Sequence, residues 1–155
     1  MYSKVVISLY KHDIKGVSVE KINWQSSKRN ISELTPAKYN PREMTVAQEK
    51  ELNKSLSKFS LADPIVINQD NKIIGGHQRI KLLKTQGIKE VDVRVPERLL
   101  SPEEEKELNL RLNRNVGEWN YDLLAEFSED MLADVGFDSE DLDKIFAKIH
   151  AEKEK

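Results

Sequence analysis

The stretch Ile73-Ile74-Gly75-Gly76-His77-Gln78-Arg79-Ile80-Lys81-Leu82-Leu83 constrains the fold of this chain more than any other. A short apolar strand runs into two glycines, and a helix then opens with His77 and Arg79 in its first turn. Such a turn suits an anion. Glycine permits positive φ and close backbone approach, and the free N–H groups of a helix start attract phosphate. His77 and Arg79 can add side-chain donors toward the same oxygens. The pattern also fits a tight strand-to-helix turn whose polar residues simply face water.

The residues around this turn read as alternating helices and strands. Thr45 with Gln48 three residues later forms a capping box, and Leu52, Leu56 and Phe59 follow at the spacing of one buried helix face. Pro64 leads into the strand Ile65-Val66-Ile67, and Gln69 to Lys72 turn the chain back to Ile73. Gly87 closes the helix after the glycine turn. Val91, Val93 and Val95 alternate with polar residues as in a strand with one wet face. Ser101, Pro102 and Glu104 open another helix, predicted to run to about Asn113. In it, Glu103-Glu104-Glu105 reads as a solvated start. A further helix carries Leu123, Leu124, Phe127 and Met131. The last presents Leu142, Ile145, Phe146 and Ile149 and frays at 151–155. Residues 1–30 read as an extension. Val5 to Tyr10 and Val17/Val19 suggest a hairpin added to a sheet edge, the preferred reading; because Gln25 to Asn30 resembles a linker, a flexible arm or a partner-binding strand is the alternative. The expected class is α+β, a small mixed sheet of four or five strands with helices packed on it.

At 155 residues the chain suits one ordinary domain. A charged fraction of 34% and a mean hydropathy of -0.63 describe a heavily charged surface. The net charge of only -2 argues against a protein held to DNA by a general basic field. With no cysteine, a disulfide framework, a thiolate metal site and thiol catalysis are all excluded. His12, His77 and His150 have no zinc spacing, so no metal site is expected. The apolar run near the start is too short for a signal sequence or a membrane span, which predicts a cytoplasmic protein with no membrane partner.

Four blocks occur in a characteristic order: Ile31 to Arg42, with Asn40-Pro41-Arg42 at its end; Leu61 to Asn68; the glycine turn; and Leu112-Asn113-Arg114-Asn115-Val116-Gly117-Glu118-Trp119-Asn120. Over about residues 31–135 the chain resembles the N-terminal domain of the ParB/sulfiredoxin superfamily, in the ParB-like form common in phages and mobile elements. The domain reading is thus 31–150, with C-terminal helices. No helix-turn-helix is recognisable, so a partition-type sliding clamp is not expected. Sulfiredoxins look like Gly-Gly-Cys-His-Arg in this loop. His77 stands where their catalytic cysteine would be, which excludes their activity.

The resemblance implies a nucleotide, CTP or ATP, held with Mg2+ by Arg42, Gly75, Gly76, His77, Gln78, Arg79, Asn113, Arg114 and Asn115. ParB itself looks like Gly-Glu-Arg-Arg in the loop; Gly76 and Arg79 match, while His77 and Gln78 depart. Leu112 replaces a glutamate tied to metal and hydrolysis in ParB, which implies binding without efficient turnover; catalytic residues are unassigned. From the residues alone, Asn113 and Arg114 equally suit a helix end where they cap carbonyls, and Arg42 suits a plain surface arginine. Trp119 is expected to pack in the core, with base stacking as the functional alternative. The function implied is a nucleotide-binding adaptor or regulator in DNA metabolism or modification. Its DNA contact would be weak or made through a partner such as a methyltransferase or another phage protein. An NTP-dependent enzyme (phosphotransferase, NTPase or weak nuclease) and a regulator acting only through protein contacts are the alternatives.

Overall fold

The computed structural model describes residues 21–40, 42–114 and 117–154. The expected strands at Val5 to Tyr10 and Val17/Val19 lie outside the described residues, as does Asn115.

Among the described residues four strands form one mixed sheet: β1 (Trp24–Asn30), β2 (Ile65–Ile67), β3 (Ile73–Gly75) and β4 (Glu90–Pro96). The spatial order is β1-β4-β2-β3. β1 pairs antiparallel with β4 from Trp24↔Pro96 to Asn30↔Glu90, and β2 runs parallel to β4 with Ile65 opposite Val93. β2 and β3 make an antiparallel hairpin with an irregularity between Val66 and Ile67. The linker reading of Gln25 to Asn30 is therefore corrected. Ser and Asn are poor strand formers, but the β4 ladder supplies partners that local propensity does not.

Helix α1 (Val46–Phe59) starts in the expected capping box, with Thr45 and Gln48 each bonded to the other's backbone N–H. Helix α2 (His77–Thr85) follows β3 directly, and α3 (Pro102–Asn113) is capped by Ser101 and Glu104. Leu56 of α1 and Ile80, Leu82 and Leu83 of α2 close over Ile65, Ile67, Ile73, Val91 and Val93 as one core. Phe59 does not join them. It ends α1 at 65% exposed, with Lys58 Nζ 5.2 Å from its ring centre.

Beyond α3 come α4 (Tyr121–Leu124), α5 (Glu129–Asp134) and α6 (Ser139–Lys153). The single helix expected over Leu123 to Met131 is thus two short ones. Ser128 accepts a hydrogen bond from the Met131 N–H and restarts the helix there. Leu124 and Leu132 face Ile145 and Phe146 in a second, smaller cluster, while Leu123, Phe127 and Met131 are exposed. Trp119 is also 68% exposed, its ring edge-on to Phe137 at 5.5 Å, so the core-packing expectation for it fails.

Candidate functional site

β3 ends at Gly75, and Gly76 becomes the N-cap of α2 with φ 101. No side chain caps this helix, so its first N–H groups point into the space ahead of it. Only glycine fits at position 76: a Cβ would lie 2.6 Å from Ile65 Cδ1 and 3.1 Å from Arg79 Nη2. In front of the turn opens a cleft of about 770 Å³. Its walls are α1, the loop from Ser60 to Pro64, the end of α3 and the Val135–Gly136 corner of the C-terminal helices.

Arg42, Gly75, Gly76, His77, Gln78, Arg79 and Asn113 all line this cleft. Arg114 does not. It is exposed and closes α3 as its C-cap, its N–H bonded to Leu110 O at 3.0 Å.

The polar groups divide between scaffold and free donors, and the division differs from the one the sequence suggests. His77 Nε2 accepts from the Ala37 N–H at 3.0 Å, so the ring proton sits on Nδ1. Burial pushes the His77 pKa down, which keeps the ring neutral. His77 is thus a loop tie rather than a charged phosphate donor. Gln78 Nε2 donates to Arg42 O at 3.2 Å and steadies that segment. Arg79 is four-fifths buried. Its Nη1 donates to Asp63 O and Pro64 O and pairs with Asp63 Oδ2 at 3.2 Å, which clamps the loop leaving α1. Burial lowers its pKa, the Asp63 carboxylate opposes that, and Arg42 nearby adds to the lowering. The guanidinium stays cationic but is largely committed to the protein. Arg42, in contrast, is exposed, with one long bond from Nη1 to Asn113 Oδ1 at 3.5 Å. It is the cation best placed to meet an anion. Asn113 also does what a helix-end asparagine does, donating from Nδ2 to Asn109 O at 2.8 Å.

Leu112 lies over the glycine turn, its Cδ1 3.0 Å from where a Gly75 Cβ would stand. An apolar group therefore covers the end of β3. Among the described residues no group of three or more His, Cys, Asp or Glu is placed to hold a metal ion, and no helix is long and apolar enough to cross a membrane.

Sequence reasoning missed a polar layer behind the cleft. Glu105 is 2% exposed, not solvated, and Asn68 and Asn109 are buried with it. Tyr39 Oη donates to Glu105 Oε1 at 2.7 Å, and burial together with that carboxylate pushes the Tyr39 pKa up. Asn68 bridges Glu105 to the backbone at Leu100 in both directions. The available signal was spacing: Glu105, Asn109 and Asn113 recur every four residues on one helix.

The fold is shared with solved ParB structures. C-terminally truncated ParB from Caulobacter crescentus, complexed with CTP-gamma-S, superposes with a TM-score of 0.59 at 18% identity, over 78% of this chain and 70% of that one. Two structures of the pNOB8-like ParB N-domain give TM-scores of 0.56 and 0.51 at 22% and 18% identity. They cover 90% and 86% of this chain, which spans about half their length, 48% and 47%. No curated protein matches the sequence. The model of the ParB N-terminal domain family matches residues 12–116, taking in β1 and residues before it as well as the glycine turn and most of the cleft. That match spans more than half of the sequence, and the chain belongs to the ParB N-terminal domain family.

Proposed function

We propose that this chain is a nucleotide-binding module acting in DNA metabolism, with the nucleotide's phosphates lying against the Gly75–Gly76 turn and the start of α2. The observation that carries this reading is the coincidence, in one cleft, of an uncapped helix N-terminus, a glycine pair and the exposed guanidinium of Arg42. Backbone N–H groups and an arginine fork are the donors that a polyphosphate requires. The volume of about 770 Å³ suits a whole nucleotide. The CTP-gamma-S in the similar Caulobacter structure makes CTP the first candidate and ATP the second.

Among the described residues no three His, Cys, Asp or Glu side chains are grouped to hold a magnesium ion. The Asp63 carboxylate is paired with Arg79, and Leu112 brings an apolar group to the turn. A divalent ion enters this reading only as a companion of the nucleotide's own phosphates, and hydrolysis is slow or absent. With a net charge of -2, DNA contact is weak and salt-sensitive or passes through a partner. An adaptor or regulator of a DNA-modifying enzyme, such as a phage methyltransferase, fits these properties.

Isothermal titration of the full chain with CTP, ATP, GTP and UTP, with and without Mg2+, tests the proposal beside a phosphate-release assay. Selective binding with little release is expected. Arg42→Ala should weaken binding about tenfold or more while leaving the melting temperature unchanged, because the side chain is exposed and makes one long bond. Silence toward all four nucleotides would remove the reading, and brisk release would turn it into an enzyme.

A further inference from the structure

Glu105, Asn109 and Asn113 stand at i, i+4 and i+8 on one face of α3. Each meets a successive described residue of the segment that ends in Arg42. Glu105 Oε1 accepts from Tyr39 Oη at 2.7 Å. Asn109 Nδ2 reaches Asn40 Oδ1 at 3.4 Å, and Asn113 Oδ1 accepts from Arg42 Nη1 at 3.5 Å. The middle rung also grips the opposite wall: Asn109 Nδ2 donates to Ile74 O at 2.8 Å, immediately before the glycine pair. The lowest rung is tied to the β2–β3 hairpin, where Glu105 accepts from Asn68 Nδ2 at 2.8 Å with Lys72 Nζ 3.5 Å away.

This is an expensive way to fill a helix–sheet contact. Glu105 and Asn109 are 2% and 1% exposed, and Asn109 Oδ1 has no hydrogen-bond partner. Apolar residues of similar volume would pack there without the desolvation cost. What they could not do is hydrogen-bond the side chains of segment 39–42 and the backbone of β3 from one helix face. We infer that Glu105 and Asn109 are positioning residues, which set segment 39–42 and the end of β3 at the spacing that puts Arg42 beside the glycine turn. The inference rests on the nucleotide reading of the cleft, since a spacing matters only if both walls hold one ligand.

The test uses two measurements on the full chain: hydrogen–deuterium exchange over residues 37–44, and titration with CTP. Asn109→Ala should raise exchange in 37–44 and weaken CTP binding, each about tenfold. Glu105→Gln keeps the shape and one acceptor, so it should stay within about twofold of wild type, whereas Glu105→Leu should behave like Asn109→Ala. Val91→Ala, in β4 and outside the cleft lining, supplies a destabilised control that should move neither readout. Should Asn109→Ala fail to fold, Tyr39→Phe removes one rung from the partly exposed side and serves in its place. Wild-type exchange over 37–44 in the rung variants, or equal loss of binding in the Val91 control, would overturn the ladder. If wild type itself binds no CTP, it is the nucleotide reading that falls, and the exchange data alone then support or overturn the ladder.

Discussion

In the sheet, Ile65, Ile67, Ile73, Ile74 and Val93 are each 2% exposed or less, whereas Trp119, Leu123, Phe127, Met131 and Val135 are each more than half exposed. Both groups are large and apolar, and the second recurs every four residues, a spacing that on paper makes a helix face. The difference lies in what each group can reach. Ile65, Ile67, Ile73 and Val93 sit on adjacent strands beneath α1 and α2, so each new neighbour buries the others further. Of the C-terminal residues, Leu123 and Met131 lie on helices of four and six residues separated by a restart at Ser128, and Trp119, Phe127 and Val135 flank them; helices this short do not hold together alone. Leu124 and Leu132 instead reach Ile145 and Phe146 of α6, with Ala125 and Phe137 partly buried beside them. Regular spacing in a sequence announces a core only where a partner surface exists to receive it.

The sharpest way to break this comparison is to remove equivalent volume from each region. Ile67→Ala should cost about 4 kcal/mol and unfold the chain cooperatively, because the fully buried position cannot collapse. Leu132→Ala should cost about 2 kcal/mol, with exchange rising in 121–153 while the sheet stays protected. Denaturant melts followed with residue-level exchange check both; loss of sheet protection in the Leu132 variant would join the two regions into one cooperative unit.

Glycine gives the next contrast. Gly76 and Gly136 have similar positive φ, 101 and 110. A Cβ at 76 would meet Ile65 Cδ1 at 2.6 Å, whereas one at 136 meets the flexible Glu51 side chain, no nearer than Cγ at 3.5 Å. Both alanine variants carry the backbone strain, about 1 kcal/mol or more. Gly76→Ala should add the clash and fall about 2 kcal/mol further. Equal melting temperatures for the two would mean that the strand-to-helix turn yields as easily as a surface corner.

Much of the sheet region was legible because its signals are local. The capping boxes at Thr45 and Ser101, the glycine after α2 and the alternating valines each report on neighbours a few residues away. The cleft was legible through the order of its motifs, not through any single residue. What stayed hidden depends on sequence-distant partners. Gln25 to Asn30 looks like a linker until β4 lies beside it. Glu105 looks solvated until Tyr39, 66 residues away, comes to its carboxylate. His77 and Arg79 look like free donors until Ala37 and Asp63 engage them.

The smallest expected effect concerns that last pair of roles, and pH reads it. His77 accepts a backbone N–H through Nε2 and lies half-buried, so the folded chain resists its protonation, and its pKa falls below the ordinary 6.5. The unfolded chain protonates at the ordinary value and therefore binds more protons as pH falls below it. By linkage, the stability supplied by the neutral ring is fully present above 6.5 and is lost as pH falls toward the folded pKa. Melting wild type and His77→Gln at a series of pH values from about 7.5 to 5.5 isolates this contribution, since other groups titrate in both. Wild type should lose stability more steeply toward acid, because the variant has no ring to protonate. A steeper slope in the variant, or parallel curves, would mean that the ring takes up its proton in the folded state as readily as outside it. His77 would then regain its place as a charged donor at the glycine turn.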